Sequence, residues 1–116
     1  MQNTKIIDIT SLSEMLYGEK KYITEFSEAA IESFTEFRDN YALFLTDRDE
    51  TNFRKAGHKI KPVAQMLGLS QIIEEYEHAK TLIWDEKPEQ EIKHSIAKMN
   101  DICNEVIIDL NTVINS

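Results

Sequence analysis

Hydrophobic residues recur at spacings of three and four along nearly the whole chain, and no strand-like alternation of comparable length competes with that helical period. A short first helix is predicted from about Ser11, where Ser11 and Glu14 have capping-box spacing, to a stop at Gly18. A long second helix follows from about Glu19 to Asp47, with Tyr22, Ile23, Phe26, Ala30, Phe34, Phe37, Tyr41, Phe44 and Leu45 on its apolar side. Its other side carries Glu25, Glu28, Glu32, Glu36 and Asp39, which read as a solvated stripe. A polar turn from Asp47 leads into a third helix, from about Thr51 to Leu67, closed by Gly68. Ser70 is expected to cap a fourth helix that runs to about Asp85, with Ile72, Ile73, Tyr76, Ala79 and Ile83 on one side. Pro88 suits the first turn of a fifth helix bearing Ile92, Ile96, Met99, Cys103, Val106, Leu110 and Val113.

Four long helices with short connections predict an all-α fold, an up-down four-helix bundle with a short extra N-terminal helix. Trp84 reads as a plug at one end, Met15, Met66 and Met99 as core or near-core filler, and Cys103 as a small buried hydrophobe. A length of 116 residues fits a single domain spanning 1–116. The formal charge of -8 argues against nucleic-acid or anionic-membrane binding, because phosphates repel a net anion. One cysteine excludes an internal disulfide framework. No apolar run is long enough to span a bilayer, and Met1 to Thr10 lacks a signal peptide's hydrophobic stretch, so a cytosolic location is expected.

Charge along the chain changes the picture at one place. No acidic residue stands between Glu50 and Glu74, yet Arg54, Lys55, Lys59 and Lys61 all do, so this stretch is +4 and the remainder of the chain -12. His58 lies in its middle. On a helical wheel with Phe53 at zero, the apolar residues centre near about 310–340°, while His58 falls at about 140°. Arg54, Lys61, Gln65 and Pro62 fall at about 100°, 80°, 120° and 180°. His58 is therefore expected on the solvent side, with cations one turn before and one turn after it. Neutral imidazole is a nucleophile, and neighbouring cations suit a group that must carry a phosphoryl dianion. Pro62, inside the predicted helix, removes the N–H that would bond the His58 carbonyl, and predicts a kink.

These residues resemble a known family, the histidine-containing phosphotransfer (HPt) domains of bacterial phosphorelays. The similarity centres on Phe53-Arg54-Lys55-Ala56-Gly57-His58-Lys59-Ile60-Lys61-Pro62 followed by Met66-Leu67-Gly68-Leu69. Upstream, Ile7-Asp8, Leu16-Tyr17-Gly18-Glu19, Phe26 and Phe34 resemble the family's N-terminal half. The resemblance implies that His58 is the phosphoacceptor and that Lys61 steadies the phosphoryl group. It implies a receiver-docking surface around Arg54, Lys55 and Lys59, with Pro62 and Gln65 on the same face. Pro62 stands where the family usually has Gly, and Gly57 where it usually has Ala. The implied partners are response-regulator receiver domains, which carry the Mg²⁺, and a hybrid sensor kinase. The implied protein is a cytoplasmic, monomeric phosphoryl carrier with no cofactor or metal of its own, and not a turnover enzyme. The chain has no Gly-rich phosphate loop, so no ATP-dependent kinase activity is expected.

Two other readings compete. A helical docking module would use the basic face without chemistry. A di-iron bundle would use Glu75-Tyr76-Glu77-His78 and Glu91-Ile92-Lys93-His94, which have Glu-x-x-His spelling. The wheel turns both histidines outward, with Glu75 and His78 at about 300° and 240° from Ile72 and the core near 20–40°, so the metal reading is set aside.

Overall fold

Asp8 and Asp49 fix where two of the helices begin. The Asp8 carboxylate accepts the backbone N–H of Ser11, at 3.0 Å, and its hydroxyl, at 2.7 Å. Asp49 accepts the N–H of Asn52, at 3.1 Å, and its side-chain amide, at 2.7 Å. These bonds hold both carboxyls below the usual carboxylate range. The computed structural model describes residues 5–115, so part of the Met1 to Thr10 segment lies outside the described residues. Among the described residues the protein is all-helical, with α1 (Ile9–Met15), α2 (Lys20–Thr46), α3 (Glu50–Met66), α4 (Ser70–Trp84) and α5 (Glu89–Ile114). Ser11 is thus not the cap of α1 but its third residue, because Asp8 supplies the acceptor one turn earlier. Ser70 is likewise the first residue of α4, with Leu69 at the cap, and Pro88 is the cap residue of α5.

The connections share one device. After the last turn of each of α1 to α4, a residue in left-handed conformation lets the next N–H reach back to a carbonyl of that turn. Tyr17, Arg48, Gly68 and Glu86 take that conformation, and Gly18, Asp49, Leu69 and Lys87 donate to Ser13, Phe44, Ala64 and Leu82. Only one of the four is glycine, and the others carry a strain of about 1–2 kcal/mol each.

Helix α2 packs along α3 and α5, and α4 packs on α3 and α5. Phe34, Tyr41, Leu45, Phe53, Ile72, Leu82, Met99, Cys103 and Leu110 are among the side chains closed off from solvent between them. Burial pushes the Cys103 thiol up to about 12. Trp84 is 71% exposed and plugs nothing, and Met15 and Met66 are also exposed, so of the three methionines only Met99 is core. Tyr22 stands exposed near the start of α2. Among the described residues, no helix is long and apolar enough to cross a membrane.

Among the described residues four polar ones are buried: Ser27, Glu75, Ser95 and Asp109. Ser95 donates to Glu75 Oε2 at 2.6 Å and meets the Tyr41 hydroxyl at 2.7 Å, while Lys98 Nζ stands 3.0 Å from Glu75 Oε1. A serine hydroxyl has one proton, and that of Ser95 goes to Glu75, so Tyr41 is the donor to Ser95. Burial raises the Tyr41 phenol well above its usual value. Asp109 accepts the backbone N–H groups of Lys5, Ile6 and Ile7 at 3.0, 2.6 and 3.1 Å, which ties the N-terminal segment to α5. The N–H of Asp8 then bonds the carbonyl of Leu67 at 3.2 Å and sets α1 beside the end of α3.

Hydrogen bonds to a charged group contribute about 1.5–3 kcal/mol each, and unmade buried donors add a penalty. Asp109→Ala should therefore lower stability by about 2–4 kcal/mol. Urea unfolding checks this, beside Asp101→Ala on the exposed side of α5, where a change within about 0.5 kcal/mol is expected.

Candidate functional site

Helix α3 buries Phe53, Gly57, Ile60 and Ala64 and exposes Arg54, Lys55, His58, Lys59, Lys61, Pro62 and Gln65. The seven residues singled out on the basic stretch therefore share one solvent-facing side. Helix α3 runs through Pro62 to Met66, so the proline neither ends the helix nor divides it into two. Because proline has no N–H, the carbonyl of His58 lacks the donor that the helix would otherwise supply.

The cations on this face fall into two pairs. Arg54 bridges to Glu50 one turn back on α3, at 3.1 Å, and Lys59 bridges to Glu36 on α2, at 2.8 Å. Among the described residues Lys55 and Lys61 have no ion-pair partner within 4.0 Å. They stand three residues before and three residues after His58, hence on either side of it. Glu36 therefore belongs to the wall beside α3, not to an uncommitted acid stripe. Exposed pairs of this kind add at most about 1 kcal/mol, so Lys59–Glu36 orients more than it stabilises.

Behind His58 the backbone of α3 comes close to α4. A Cβ built on Gly57 would overlap the ring of Tyr76, at the atoms of its hydroxyl end. The Tyr76 hydroxyl donates to the carbonyl of Arg54 at 3.3 Å, and Lys80 Nζ lies 5.2 Å from the ring centroid. Burial raises the Tyr76 phenol above its usual value. The ring also ends a stack that crosses the core: Phe37 to Tyr41 at 5.6 Å, Tyr41 to Phe53 at 5.0 Å, and Phe53 to Tyr76 at 5.2 Å. Tyr76 was legible as a core residue of α4, but its contact with Gly57 was not. The only local signal was a glycine at about 40° on the α3 wheel, next to the apolar arc.

The two Glu-x-x-His stretches need a correction. Glu75 is 6% exposed and belongs to the buried side of α4, because Leu82 turns the apolar arc toward it. His78 and His94 are exposed, yet they line one cleft of about 700 Å³ between α4 and α5 with Glu75 and Glu91. Glu75 is taken up there by Ser95 and Lys98, and among the described residues no three His, Cys, Asp or Glu side chains converge as metal ligands would. A second cleft, of about 510 Å³, lies between α1 and the end of α3, lined by Asp8, Ser11, Met15, Gln65 and Met66.

No protein-family model, curated protein or solved structure matches the chain.

Chemically, this face offers one exposed imidazole, two unpaired ammonium groups beside it, and no carboxylate on α3 beyond its first turn. Behind this face, Gly57 leaves no room for a side chain. Overpacking costs about 1–3 kcal/mol, of which a better helix former returns about 1 kcal/mol. Gly57→Ala should therefore lower the urea midpoint, and the loss should shrink when measured in a Tyr76→Leu background, where the ring no longer fills the space.

Proposed function

We propose that this protein is a phosphorelay carrier of the HPt type, accepting a phosphoryl group from a receiver-domain aspartate onto His58 and passing it to another receiver. The observation that carries this reading is the exposed His58 between Lys55 and Lys61, on a helix with no acid beyond its first turn in a chain of charge -8. The motif Ala56-Gly57-His58-Lys59-Ile60-Lys61 with Leu67-Gly68 supports it by resemblance. The packing of α2 on α3 and α5, and of α4 on the same two helices, supports the finer architecture, an up-down four-helix bundle with α1 at one end.

On this reading the Nε2 lone pair of neutral His58 attacks phosphorus in line with the aspartyl oxygen. The N–P bond forms as the P–O bond breaks, and the aspartate leaves as its carboxylate. The imidazole keeps its Nδ1 proton, so its ring charge offsets part of the phosphoryl charge. The Mg²⁺ at the receiver's phosphoryl group comes with the receiver. Transfer of this kind depends mostly on positioning and charge stabilisation. Lys61 steadies the phosphoryl oxygens, and Arg54, Lys55, Lys59, Pro62 and Gln65 form the docking face. The protein works in the cytosol as a monomer between receivers and a hybrid kinase, and needs no cofactor.

Incubation with phosphorylated receivers, read by intact mass and acid lability, tests the reading. An acid-labile adduct is expected on the wild type and none on His58→Gln. Receiver binding that survives His58→Gln, with no adduct on either protein, would instead favour a docking module without chemistry.

A charge-assisted hydrogen bond contributes about 1.5–3 kcal/mol, so Lys61→Ala should slow transfer roughly 10- to 100-fold. Single-turnover kinetics check this, with an unchanged helical circular-dichroism signal as the control. An unaltered rate would remove Lys61 from the site.

A further inference from the structure

His58 occupies a turn of α3 that has lost one of its own hydrogen bonds. In a helix each carbonyl accepts the N–H four residues on, so the carbonyl of His58 would be served by residue 62. That residue is Pro62, within the helix and without an N–H. On the other side, the N–H of His58 goes to the carbonyl of Arg54. That same oxygen accepts the hydroxyl of Tyr76 at 3.3 Å. The Tyr76 ring meanwhile fills the space where residue 57 would carry a Cβ. Two contacts from α4 thus fall on the backbone just before His58, where the helix keeps its own bond, and Pro62 removes one just after it.

We propose that Tyr76 is a positioning residue for His58: through its hydroxyl on the Arg54 carbonyl and its ring on Gly57, it fixes the roll of α3 and hence the place of the imidazole. The inference rests on the carrier reading of His58. The histidine side chain turns about only two bonds, so the backbone sets the range its nitrogens can reach. In-line attack needs the reacting atoms at about 3–3.5 Å, and a misplacement of about 1 Å costs on the order of 100-fold. Helix α3 lacks the Pro62 donor on one side of His58, and Tyr76 adds a restraint from outside on the other.

Tyr76→Phe tests this, because it keeps the ring on Gly57 and removes only the hydroxyl. Amide hydrogen exchange at His58 should quicken roughly threefold or more, as expected for loss of one modest hydrogen bond, with the urea midpoint little changed. The limiting rate of transfer from a phosphorylated receiver should fall roughly three- to tenfold, while the half-saturating receiver concentration stays the same. In a Pro62→Ala background, where the His58 carbonyl regains its donor, the same substitution should cost less. Wild-type exchange at His58 together with a wild-type limiting rate would overturn the proposal. So would a rate loss of equal size in both backgrounds, or a change confined to the half-saturating concentration. A wild-type protein that takes no phosphoryl group from any receiver would overturn the carrier reading. Exchange at His58 would then still decide whether Tyr76 restrains the turn.

Discussion

The ring of Tyr76 lies where residue 57 would carry its Cβ, and that close approach sets the distance between α4 and α3. Any larger residue at 57 would force the helices apart or turn the ring out of the core. The ring in turn stacks on Phe53, Phe53 on Tyr41, and Tyr41 on Phe37, so one row of aromatics spans α2, α3 and α4. Aromatic pairs at these separations contribute about 0.5–1.5 kcal/mol beyond the area they bury. The row also has direction. It starts among the apolar residues of α2 and ends under the backbone of the turn that presents His58.

Tyr41 belongs to this row by its ring and to the buried polar chain by its hydroxyl. From Tyr41 the chain passes to Ser95, Glu75 and Lys98, which joins α2, α5 and α4. A carboxylate closed off from water is tolerated only with charged and hydrogen-bonding partners, and Glu75 has one of each. The aromatic row and the polar chain share one side chain and together link all four long helices. The short helix α1 is held separately, by Asp109 on the segment before it and by the Leu67 carbonyl on Asp8.

How much of this was legible in the chain depends on the kind of signal. The α2 and α3 limits came within a residue of those observed, because long apolar periods and the polar turn at Asp47 to Asp49 are local. The exposed face of α3 was also legible, because a wheel needs only local geometry. The start of α1 was misjudged, since Ser11 and Asp8 are both plausible caps and only the fold brings Asp8 to the Leu67 carbonyl. Glu75 and Asp109 could not be read as core residues. Each is buried because of partners that are 20 and more than 100 residues distant along the chain. The wheel of α4, drawn without Leu82, turned Glu75 away from the core for the same reason. Gly57 stood out only as a departure from the Ala usual in the resembled family, whereas its size answers to Tyr76 on another helix.

The distribution of charge around His58 follows from which cations the fold uses. Arg54 and Lys59 each have a carboxylate, on α3 and on α2, and these pairs hold their side chains over the flanks of the helix. Lys55 and Lys61 have none within 4.0 Å among the described residues, and they lie one turn either side of the imidazole. A dianion brought to His58 would therefore meet Lys61 unpaired and Lys55 opposed only by the longer-range charge of Asp49. The rest of the chain carries -12, so an anionic partner is repelled by the molecule on the whole and attracted at this face. Salt screens such fields beyond about 8 Å, which makes the two nearby lysines the lasting part of the attraction and the distant acids the part that steers orientation at low ionic strength. Paired cations fix the shape of the face, and unpaired ones give it its sign.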